Sequence, residues 1–289
     1  MKADLGFRIF SGVTAIIFAF AIGFPVLMMV SVSLQSMTEV YRPSFVFFPE
    51  RLLFENYRLA MSHGNWGRYI FNSFFVASAS VVISLIINSS AGYAFARIPF
   101  KGKEPLFMLL LIGMMIPPQV TLLPVFHIMA GFPLAGGNNI FGSGGRGFIN
   151  SYPGLILPFI AGSFGVFLCR QFYSAFPLTL DDAAMMDGCG RIRAYIYIYL
   201  PLSYPIFASL GVLRFTGTWN EFTWPLIVTP FADNMRTVQL ALTQFRNEGE
   251  IFWNLLMAAT VVVSLCVYVP FLFFQRYFVG GFMAGSVKE

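Results

Sequence analysis

The charged residues that could do chemistry in this chain are concentrated in one short run at 181–202, DDAAMMDGCGRIRAYIYIYLPL. Asp181 and Asp182 follow PLTL, a favourable helix start where carboxylates complement the positive end of the helix dipole. Gly188 then permits a left-handed residue that ends one short helix and turns the chain into the next. The run therefore predicts a two-helix knuckle that meets water or a partner.

Patterns for other kinds of chemistry are absent from the sequence. A P-loop ATPase needs Gly-Lys followed by Ser or Thr, and none of the four lysines precedes either residue. His63 and His127 lie in unrelated segments without a GxSxG or HExxH pattern, and the three cysteines stand far apart without a CxxC pair. We expect no ATPase site, no other catalytic site and no metal site in this chain.

The composition requires contact with lipid. Hydrophobic residues make up 57% of the 289 residues and charged residues 11%, which is more apolar surface than a water-soluble protein of this length could hide. The net charge of +5 comes without a basic run, so it carries no nucleic-acid signal.

Several apolar stretches approach the roughly 20 residues that a membrane-crossing helix needs. The stretches lie at 9–33, 69–96, 106–130, 152–173, 203–229 and 254–275. We therefore predict an all-α membrane protein with six transmembrane helices, forming a single transmembrane domain over 1–289.

The basic residues indicate the orientation. All four lysines fall on the side that holds the amino terminus, the turn at 97–104 and the tail, and lysine-rich loops mark the cytoplasmic side. Several arginines lie in the opposite loops, but those loops are longer and count for less. We expect both termini and the loop at 174–202 in the cytoplasm. The Gly-rich segment 136–147 is then a flexible external loop.

Residues 194–200, AYIYIYL, alternate aromatic and aliphatic side chains with a period of two, which by itself favours a strand. A lone strand at a membrane surface would leave its backbone groups unpaired. We expect a helix at this place instead, with the tyrosines forming a belt at the membrane interface.

The spacing in the charged run matches a known pattern. From Asp182 the sequence reads Asp-Ala-Ala, three residues, Gly188, nine residues and then IYLP. This resembles the EAA loop in the membrane subunits of ATP-binding-cassette importers, with Asp182 where the family has Glu. The segments FGVFLCRQFYSAFP, TWNEFTWPL and QRYFVGGFMAGSVKE resemble carbohydrate-uptake permeases that are similar to the smaller membrane subunit of the maltose importer.

The resemblance implies the type I ABC importer permease fold, with a cytoplasmic coupling-helix loop at 174–202. It implies that the chain forms half of a translocation pore beside a second permease subunit. Two cytoplasmic ATPases would bind the ATP and Mg, so this chain itself needs no cofactor, and an external substrate-binding protein would deliver a sugar or oligosaccharide. The implied location is a bacterial-type cytoplasmic (inner) membrane. The residues assigned to ATPase coupling are Asp181, Asp182, Ala183, Ala184, Asp187, Gly188, Leu200 and Pro201.

Polar side chains inside apolar spans are costly, so they mark a cavity or a contact between helices. Asn88 lies on the second span with three nearby serines, and for this group a hydrogen bond to a neighbouring helix is the stronger alternative to sugar contact. On the fifth span, Thr218, Trp219, Asn220 and Glu221 combine polar side chains with an aromatic plate, both of which bind sugars. These residues are candidates for the pore.

Arg214 falls near the middle of the fifth span, where charge is expensive unless it is paired or wet. If Arg214 lines the pore, an acidic sugar such as a uronate oligosaccharide fits, because a guanidinium can hold a carboxylate with two hydrogen bonds. An internal ion pair or a contact with backbone carbonyls is the equally weighted alternative.

Other functions remain open on the sequence. An ABC importer permease for a non-sugar solute would have the same loop. The WNEF and tail segments favour a sugar permease over a non-sugar permease. A secondary transporter that works alone fits poorly, because six spans show no visible inverted repeat. A membrane scaffold without transport would leave the charged loop unexplained.

Overall fold

A computed structural model describes residues 5–44, 46–246 and 249–283 of the chain. Regular secondary structure in these ranges is helical, apart from one isolated antiparallel bridge between Arg246 and Ile251. The predicted all-α class is therefore confirmed. The α-helices are α1 (Leu5–Ser33), α2 (Met37–Val40), α3 (Glu55–Ser62), α4 (Trp66–Arg97), α5 (Lys103–Met115), α6 (Pro118–Ala130), α7 (Tyr152–Ile156), α8 (Ser163–Ser174), α9 (Thr179–Met186), α10 (Arg191–Ala194), α11 (Leu200–Leu202), α12 (Tyr204–Trp219), α13 (Thr223–Val228), α14 (Val238–Ala241) and α15 (Trp253–Met283).

Three of the predicted spans correspond to helices without a sharp bend. The segment Ile9–Ser33 of α1 and the whole of α4 are each long and apolar enough to cross a membrane. The predicted sixth span lies on α15, which begins with the apolar segment Trp253–Tyr268.

The predicted third span, 106–130, is not one straight helix. Its two halves, α5 and α6, meet at an angle of 107°. Ile116 leaves the helical region with φ −80° and ψ 119°, because a residue before proline avoids the α conformation. Pro117 and Pro118 follow, and Pro118 restarts the helix at a position where its missing N–H costs nothing.

The predicted fifth span, 203–229, is also interrupted. Helix α12 ends at Trp219, and α13 begins only at Thr223. The Glu221 carboxylate accepts a hydrogen bond of 3.0 Å from the Trp224 amide, which provides an acceptor for the free N–H groups at the start of α13. The polar residues assigned to this span therefore lie at a break between helices. Milder breaks separate Tyr152–Phe159 from α8, at 46°, and Arg191–Leu202 from α12, at 74°.

The first of two compact units comprises Met1–Trp66 and Ala241–Pro270. A buried asparagine joins its segments. The Asn56 side-chain amide donates to the carbonyls of Ser33 and Gln35, both at 2.9 Å, and its oxygen accepts from Asn254 at 3.2 Å. Because each group of this buried amide has a partner, its burial carries no penalty for unmade hydrogen bonds.

A capping box begins helix α2 in the same unit. The Ser36 hydroxyl accepts from the Glu39 amide at 3.3 Å, and the Glu39 carboxylate accepts from the Ser36 amide at 2.8 Å. The other Glu39 oxygen accepts from the Glu50 amide at 2.7 Å. These bonds, the one from the Ser36 amide above all, lower the pKa of Glu39 and keep it ionised where it caps the helix.

The second unit comprises Gly67–Leu240 and Phe271–Glu289. It contains two buried clusters. One consists of Val76, Leu155, Ile156, Trp224 and Val228, and the other of Tyr93, Cys169, Tyr173, Tyr199 and Leu210. The second cluster is unusually rich in tyrosine. The hydroxyl groups of Tyr93 and Tyr199 donate to Arg191 and Asp181 on the loop at 174–202, and the Tyr173 hydroxyl pairs with Ser203 just after it.

The Gly-rich segment 136–147 is folded around an asparagine. Asn138 is 7% exposed, and its amide donates to the carbonyls of Ala130 and Phe132 at 2.8 and 3.0 Å. Its side-chain oxygen accepts from the Gly145 amide at 2.8 Å. Gly147 has a φ of +56° and its Cα faces the carbonyl of Ala130, so a larger residue would be excluded there.

Helices α4 and α8 pack closely in the second unit because α4 carries Gly92 at the contact. A Cβ atom added there would overlap the Cys169 Cβ and lie 2.9 Å from the Arg170 backbone nitrogen. Backbone atoms cannot move aside as the end of a side chain can. The glycine is therefore required by packing, as in other close membrane-helix contacts.

We predict that Gly92→Ala destabilises the protein, because the new methyl group forces α8 away and overpacking costs about 1 to 3 kcal/mol. Gly211→Ala is the matched control. Its Cβ would be 3.6 Å from Val81 in ordinary contact, and alanine favours a helix by about 1 kcal/mol over glycine. Thermal unfolding in detergent would show a lower midpoint for Gly92→Ala and an equal or higher one for Gly211→Ala. Equal midpoints would contradict the proposed contact.

Candidate functional site

The loop at 174–202 forms the predicted two-helix knuckle. Helix α9 carries Asp181 and Asp182 in its first turn and ends at Met186, with Asp187 as its C-cap. Gly188 adopts the left-handed conformation, with φ +72°, and the following amide of Cys189 donates to the Ala184 carbonyl at 2.9 Å. Helix α10 begins three residues beyond the glycine, at Arg191. The predicted roles of the acidic first turn and of the glycine in shaping the loop are confirmed.

Most of the residues assigned to ATPase coupling are exposed. They are Asp182, Ala183, Asp187, Gly188 and Pro201. Large apolar side chains on the same loop are exposed as well: Leu178 by 72%, Met185 by 55%, Met186 by 88% and Ile192 by 74%. We call Leu178, Asp182, Met185, Met186, Asp187 and Ile192 the loop surface. It combines carboxylates with flexible apolar side chains, a composition suited to a protein partner.

The other three residues assigned to coupling are not exposed. Ala184 is 4% exposed, Leu200 is half-buried, and Asp181 points into the protein. Successive residues on an α-helix are about 100° apart, so Asp181 and Asp182 cannot face the same way. The expectation that both carboxylates and both alanines meet a partner is wrong for Asp181 and Ala184.

Asp181 is held by an arginine that lies outside the loop. Arg97, the last residue of α4, donates from Nη1 to Asp181 Oδ2 at 3.0 Å, and the Arg97 side chain is only 4% exposed. Tyr199 donates its hydroxyl to the other Asp181 oxygen at 2.7 Å. This role of Arg97 could not be predicted from sequence, because an arginine at the end of an apolar span is ordinarily a membrane anchor.

The run at 194–200 is helical, as expected from the backbone argument. Tyr195–Tyr199 form a short π-helix between α10 and α11. The predicted tyrosine belt is only partly correct. Tyr197 is 73% exposed, but Tyr199 is fully buried and Tyr195 shares a hydrogen bond of 2.6 Å with the Ser89 hydroxyl. Buried tyrosines need a partner for the hydroxyl, which Ser89 of α4 provides for Tyr195 and Asp181 of α9 provides for Tyr199.

A cavity of about 350 Å³ lies in the second compact unit, between α4, α8 and α12. Four of the six predicted pore residues line it: Asn88, Arg214, Thr218 and Glu221. Ser84 adds a further hydroxyl group, and Phe159 and Phe164 supply aromatic surface. A cavity with a few polar groups among apolar walls is the usual form of a small-molecule site.

Asn88 contributes to packing as well as to the cavity wall. Its amide nitrogen donates to the Ser84 hydroxyl at 2.8 Å, and its oxygen accepts from the Gly162 amide at 3.2 Å. Gly165 allows this approach, since a Cβ there would lie 2.7 Å from the Asn88 Cγ. The hydrogen bond to a neighbouring helix, weighed above against sugar contact, is thus present.

Arg214 has no protein partner among the described residues. No carboxylate lies within 4 Å of its guanidinium and no carbonyl accepts from it, although the group is half-buried beside Gly162. The internal ion pair considered above is therefore not present there. Thr218 is 8% exposed, and its hydroxyl oxygen also lacks a hydrogen-bond partner. Both groups are available to a polar molecule in the cavity.

Trp219 and Asn220 do not line the cavity. Trp219 is 3% exposed and stacks on Phe215 with ring centroids 5.8 Å apart. Asn220 accepts a hydrogen bond from Gln239 at 3.1 Å. The expectation that Trp219 is the aromatic plate is wrong, and Phe159 and Phe164 take that position. In a chain with 35 phenylalanines, no sequence signal separates these two from lipid-facing ones.

The described part of the chain holds no group of three or more His, Cys, Asp or Glu side chains that could bind a metal ion. The cysteines are free thiols, and Cys169 is fully buried in the tyrosine-rich cluster. The second unit thus combines a cavity that has a few polar groups on its wall with an exposed loop surface.

Comparison with known proteins identifies the class. Residues 88–282 match the family described as binding-protein-dependent transport system inner membrane component, and this range contains the loop and every residue of the cavity wall except Ser84. The chain belongs to this family. It is a transport subunit, not an enzyme, and a multi-pass protein of the inner membrane. The predicted membership among ABC importer permeases is confirmed.

Individual relatives cover nearly the whole chain. The arabinooligosaccharides transport system permease protein AraQ of Halalkalibacterium halodurans is 33% identical over 93% of this chain and 92% of its own length. The diacetylchitobiose uptake system permease protein DasC of Streptomyces coelicolor is 29% identical, with full coverage of both chains. A crystal structure of a bacterial ABC transporter that imports the acidic polysaccharide alginate contains a chain with a TM-score of 0.78 and 21% identity, covering 96% of this chain and 99% of that one. This likeness confirms the type I permease fold.

Proposed function

We propose that the chain is a membrane subunit of an ATP-driven importer for a sugar or oligosaccharide and forms half of the translocation pore. The observation that carries the proposal is the exposed knuckle at 174–202, which has the spacing of an ATPase-coupling loop and lies in a chain that belongs to the permease family. The sugar class is supported by the relatives, which are named for arabinooligosaccharides and diacetylchitobiose.

Transport in this proposal requires several further chains. A second permease subunit completes the pore, and an external binding protein delivers the solute. Two cytoplasmic ATPases hold the ATP and Mg, because the P-loop pattern that would bind them is missing from this sequence. The loop surface docks one of the ATPases. Its exposed methionines fill an apolar groove, and Asp182 and Asp187 meet basic groups at the rim.

The proposed orientation places both termini and the knuckle in the cytoplasm, with the Gly-rich loop 136–147 outside. The lysine distribution supports this arrangement. An ATPase can reach the loop surface only from the cytoplasmic side, so the docking role and the orientation depend on each other.

We further propose that the solute is an acidic oligosaccharide such as a uronate. The unpaired guanidinium of Arg214 and the unpartnered Thr218 hydroxyl on the cavity wall support it, because a half-buried cation inside a membrane protein favours a carboxylate. The fold neighbour that imports alginate transports a polymer of this chemical class. A neutral sugar, or a non-sugar solute, remains the alternative that transport assays separate.

The Asp182 side chain tests the docking role. We predict that Asp182→Glu retains ATP-coupled uptake and that Asp182→Lys nearly abolishes it, because the carboxylate is exposed in the free chain and becomes buried against the ATPase. An exposed ion pair contributes about 0 to 1 kcal/mol, whereas breaking a buried one costs about 3 to 5 kcal/mol. The measurement is solute-stimulated ATP hydrolysis and uptake by the reconstituted complex, with labelled arabino-, chito- and uronate oligosaccharides.

The isolated chain is the control for this experiment, and it should transport none of the sugars. Uptake by the chain alone would favour a stand-alone secondary transporter. Normal coupled activity of Asp182→Lys would show that this carboxylate is merely solvated.

The Arg214 side chain tests the solute class. We predict that Arg214→Gln raises the apparent KM for uronate oligosaccharides roughly 10- to 100-fold, since a hydrogen bond to a charged group contributes about 1.5 to 3 kcal/mol. Uptake of neutral sugars should change less than about threefold by the same reasoning. Assembly of the complex should be unaffected, because no described residue depends on Arg214. Loss of assembled complex would instead assign the arginine a structural role.

A further inference from the structure

The guanidinium of Arg97 contacts both sides of the point where the chain leaves α8 for the loop. Its Nε and Nη2 donate to the Tyr173 carbonyl at 3.0 and 2.6 Å, and Nη2 also donates to the Phe176 carbonyl. Tyr173 lies in the last turn of α8, and Phe176 lies just after the helix. Carbonyl groups at this end of a helix accept no hydrogen bond from within the helix. Arg97 therefore caps α8 from the end of α4.

The same arginine holds the rest of the loop. Nη1 pairs with Asp181 on α9, and the guanidinium carbon lies 5.6 Å from the centre of the Tyr199 ring. The backbone carbonyl of Arg97 accepts from Arg191 Nη1 at 2.9 Å, which attaches α10. One residue at the end of α4 thus contacts the start of the loop, both of its short helices and its π-helix.

Helix α4 connects this residue to the cavity. Asn88 lies nine residues before Arg97 on the same unbroken helix, a distance of about 13 Å along its axis. Asn88 lines the cavity and accepts from the Gly162 amide at the start of the segment leading into α8. If the loop is displaced and α4 moves with it, the position of Asn88 on the cavity wall therefore changes as well.

We infer that Arg97 is a positioning residue for energy coupling, which fixes the knuckle to α4 so that movement imposed by the ATPase reaches the cavity. The inference rests on the proposed function. It assigns Asp181 a role different from that of Asp182: Asp181 acts through Arg97 inside the protein, and Asp182 faces the partner. Both Asp181 oxygens already have partners, from Arg97 and Tyr199.

This arrangement makes a distinctive prediction for a double-mutant cycle. Removing one member of a buried ion pair leaves the other charge uncompensated, so Arg97→Gln and Asp181→Asn should each disturb the same link. When two residues act through one contact, the double variant is no worse than the more severe single variant. If Asp181 instead contacted the ATPase on its own, the two effects would add.

The experiment uses the assembled importer, purified through this chain with its partner subunits and reconstituted in nanodiscs. Gly217→Cys serves as the reporter, because Gly217 lines the cavity and a Cβ there has no atom within 4 Å. Cys189 and Cys266 are replaced by alanine in every variant, and the fully buried Cys169 is kept. The probe is a charged methanethiosulfonate, and its reaction rate is measured without nucleotide and after trapping with ATP and vanadate.

We expect trapping to change the labelling rate of the reference protein by about tenfold or more, as for a largely complete shift between two states. In Arg97→Gln, Asp181→Asn and the double variant, the change should fall below about twofold, while ATP hydrolysis and ATPase binding persist. Tyr199→Phe, which removes only the hydroxyl that bonds Asp181, should give a partial loss and guards against a variant that fails to fold. Thermal unfolding of each complex is measured in parallel.

Arg170→Gln is the matched control. Arg170 also pairs with a carboxylate, Glu104 at 3.0 Å, and joins α8 to α5, and the side-chain partners described for it, Glu104 and Phe107, both lie on α5. It should retain the full change in labelling. A full change in Arg97→Gln, additive effects in the double variant, or an equal loss in Arg170→Gln would each overturn the inference. If the reference protein binds no ATPase at all, the proposed function itself fails.

Discussion

A guanidinium that is only 4% exposed needs acceptors for its hydrogens, and at the end of α4 those acceptors come from the last turn of α8 and the loop at 174–202. Arg97 finds them in the carbonyls of Tyr173 and Phe176 and in the Asp181 carboxylate. Without them the charge would be buried unpaired, at a cost of several kcal/mol. The loop is thereby fixed to a membrane helix, and its exposed surface keeps one orientation toward a partner.

The cavity wall contains both polar groups that have hydrogen-bond partners and polar groups that have none among the described residues. Asn88 is satisfied by Ser84 and Gly162, so it stabilises the packing of the helices that form the wall. Arg214 and Thr218, on the same wall, have no partner among the residues that the structure describes. Polar groups are retained inside apolar helices where they have a partner or serve a function. The satisfied group holds the cavity in shape, and the unsatisfied groups are free to bind a solute.

The sequence predicted those features that depend on local chemistry. The DAA spacing and Gly188 located the knuckle, because a helix start and a left-handed turn are specified by adjacent residues. Prediction from sequence failed where a side chain's direction depends on its angular position around the helix or on a contact with a residue distant in the sequence. Asp181 and Asp182 are equivalent in type, and only helical geometry turns one inward to Arg97. Trp219 was preferred as the aromatic plate because of its chemistry, whereas packing buried it against Phe215.

If the loop surface docks an ATPase in the cytoplasm, labelling of Met186→Cys should depend on the side of the membrane and on the presence of the ATPase. Cys189 and Cys266 are replaced by alanine for this measurement. Met186 is 88% exposed, and Ser143→Cys on the Gly-rich loop marks the opposite side. An impermeant thiol reagent should label Met186→Cys only in inside-out vesicles, and ATPase assembly should protect it. Ser143→Cys should be labelled only in right-side-out vesicles. Labelling of Met186→Cys from outside, or equal labelling with and without the ATPase, would contradict the claim.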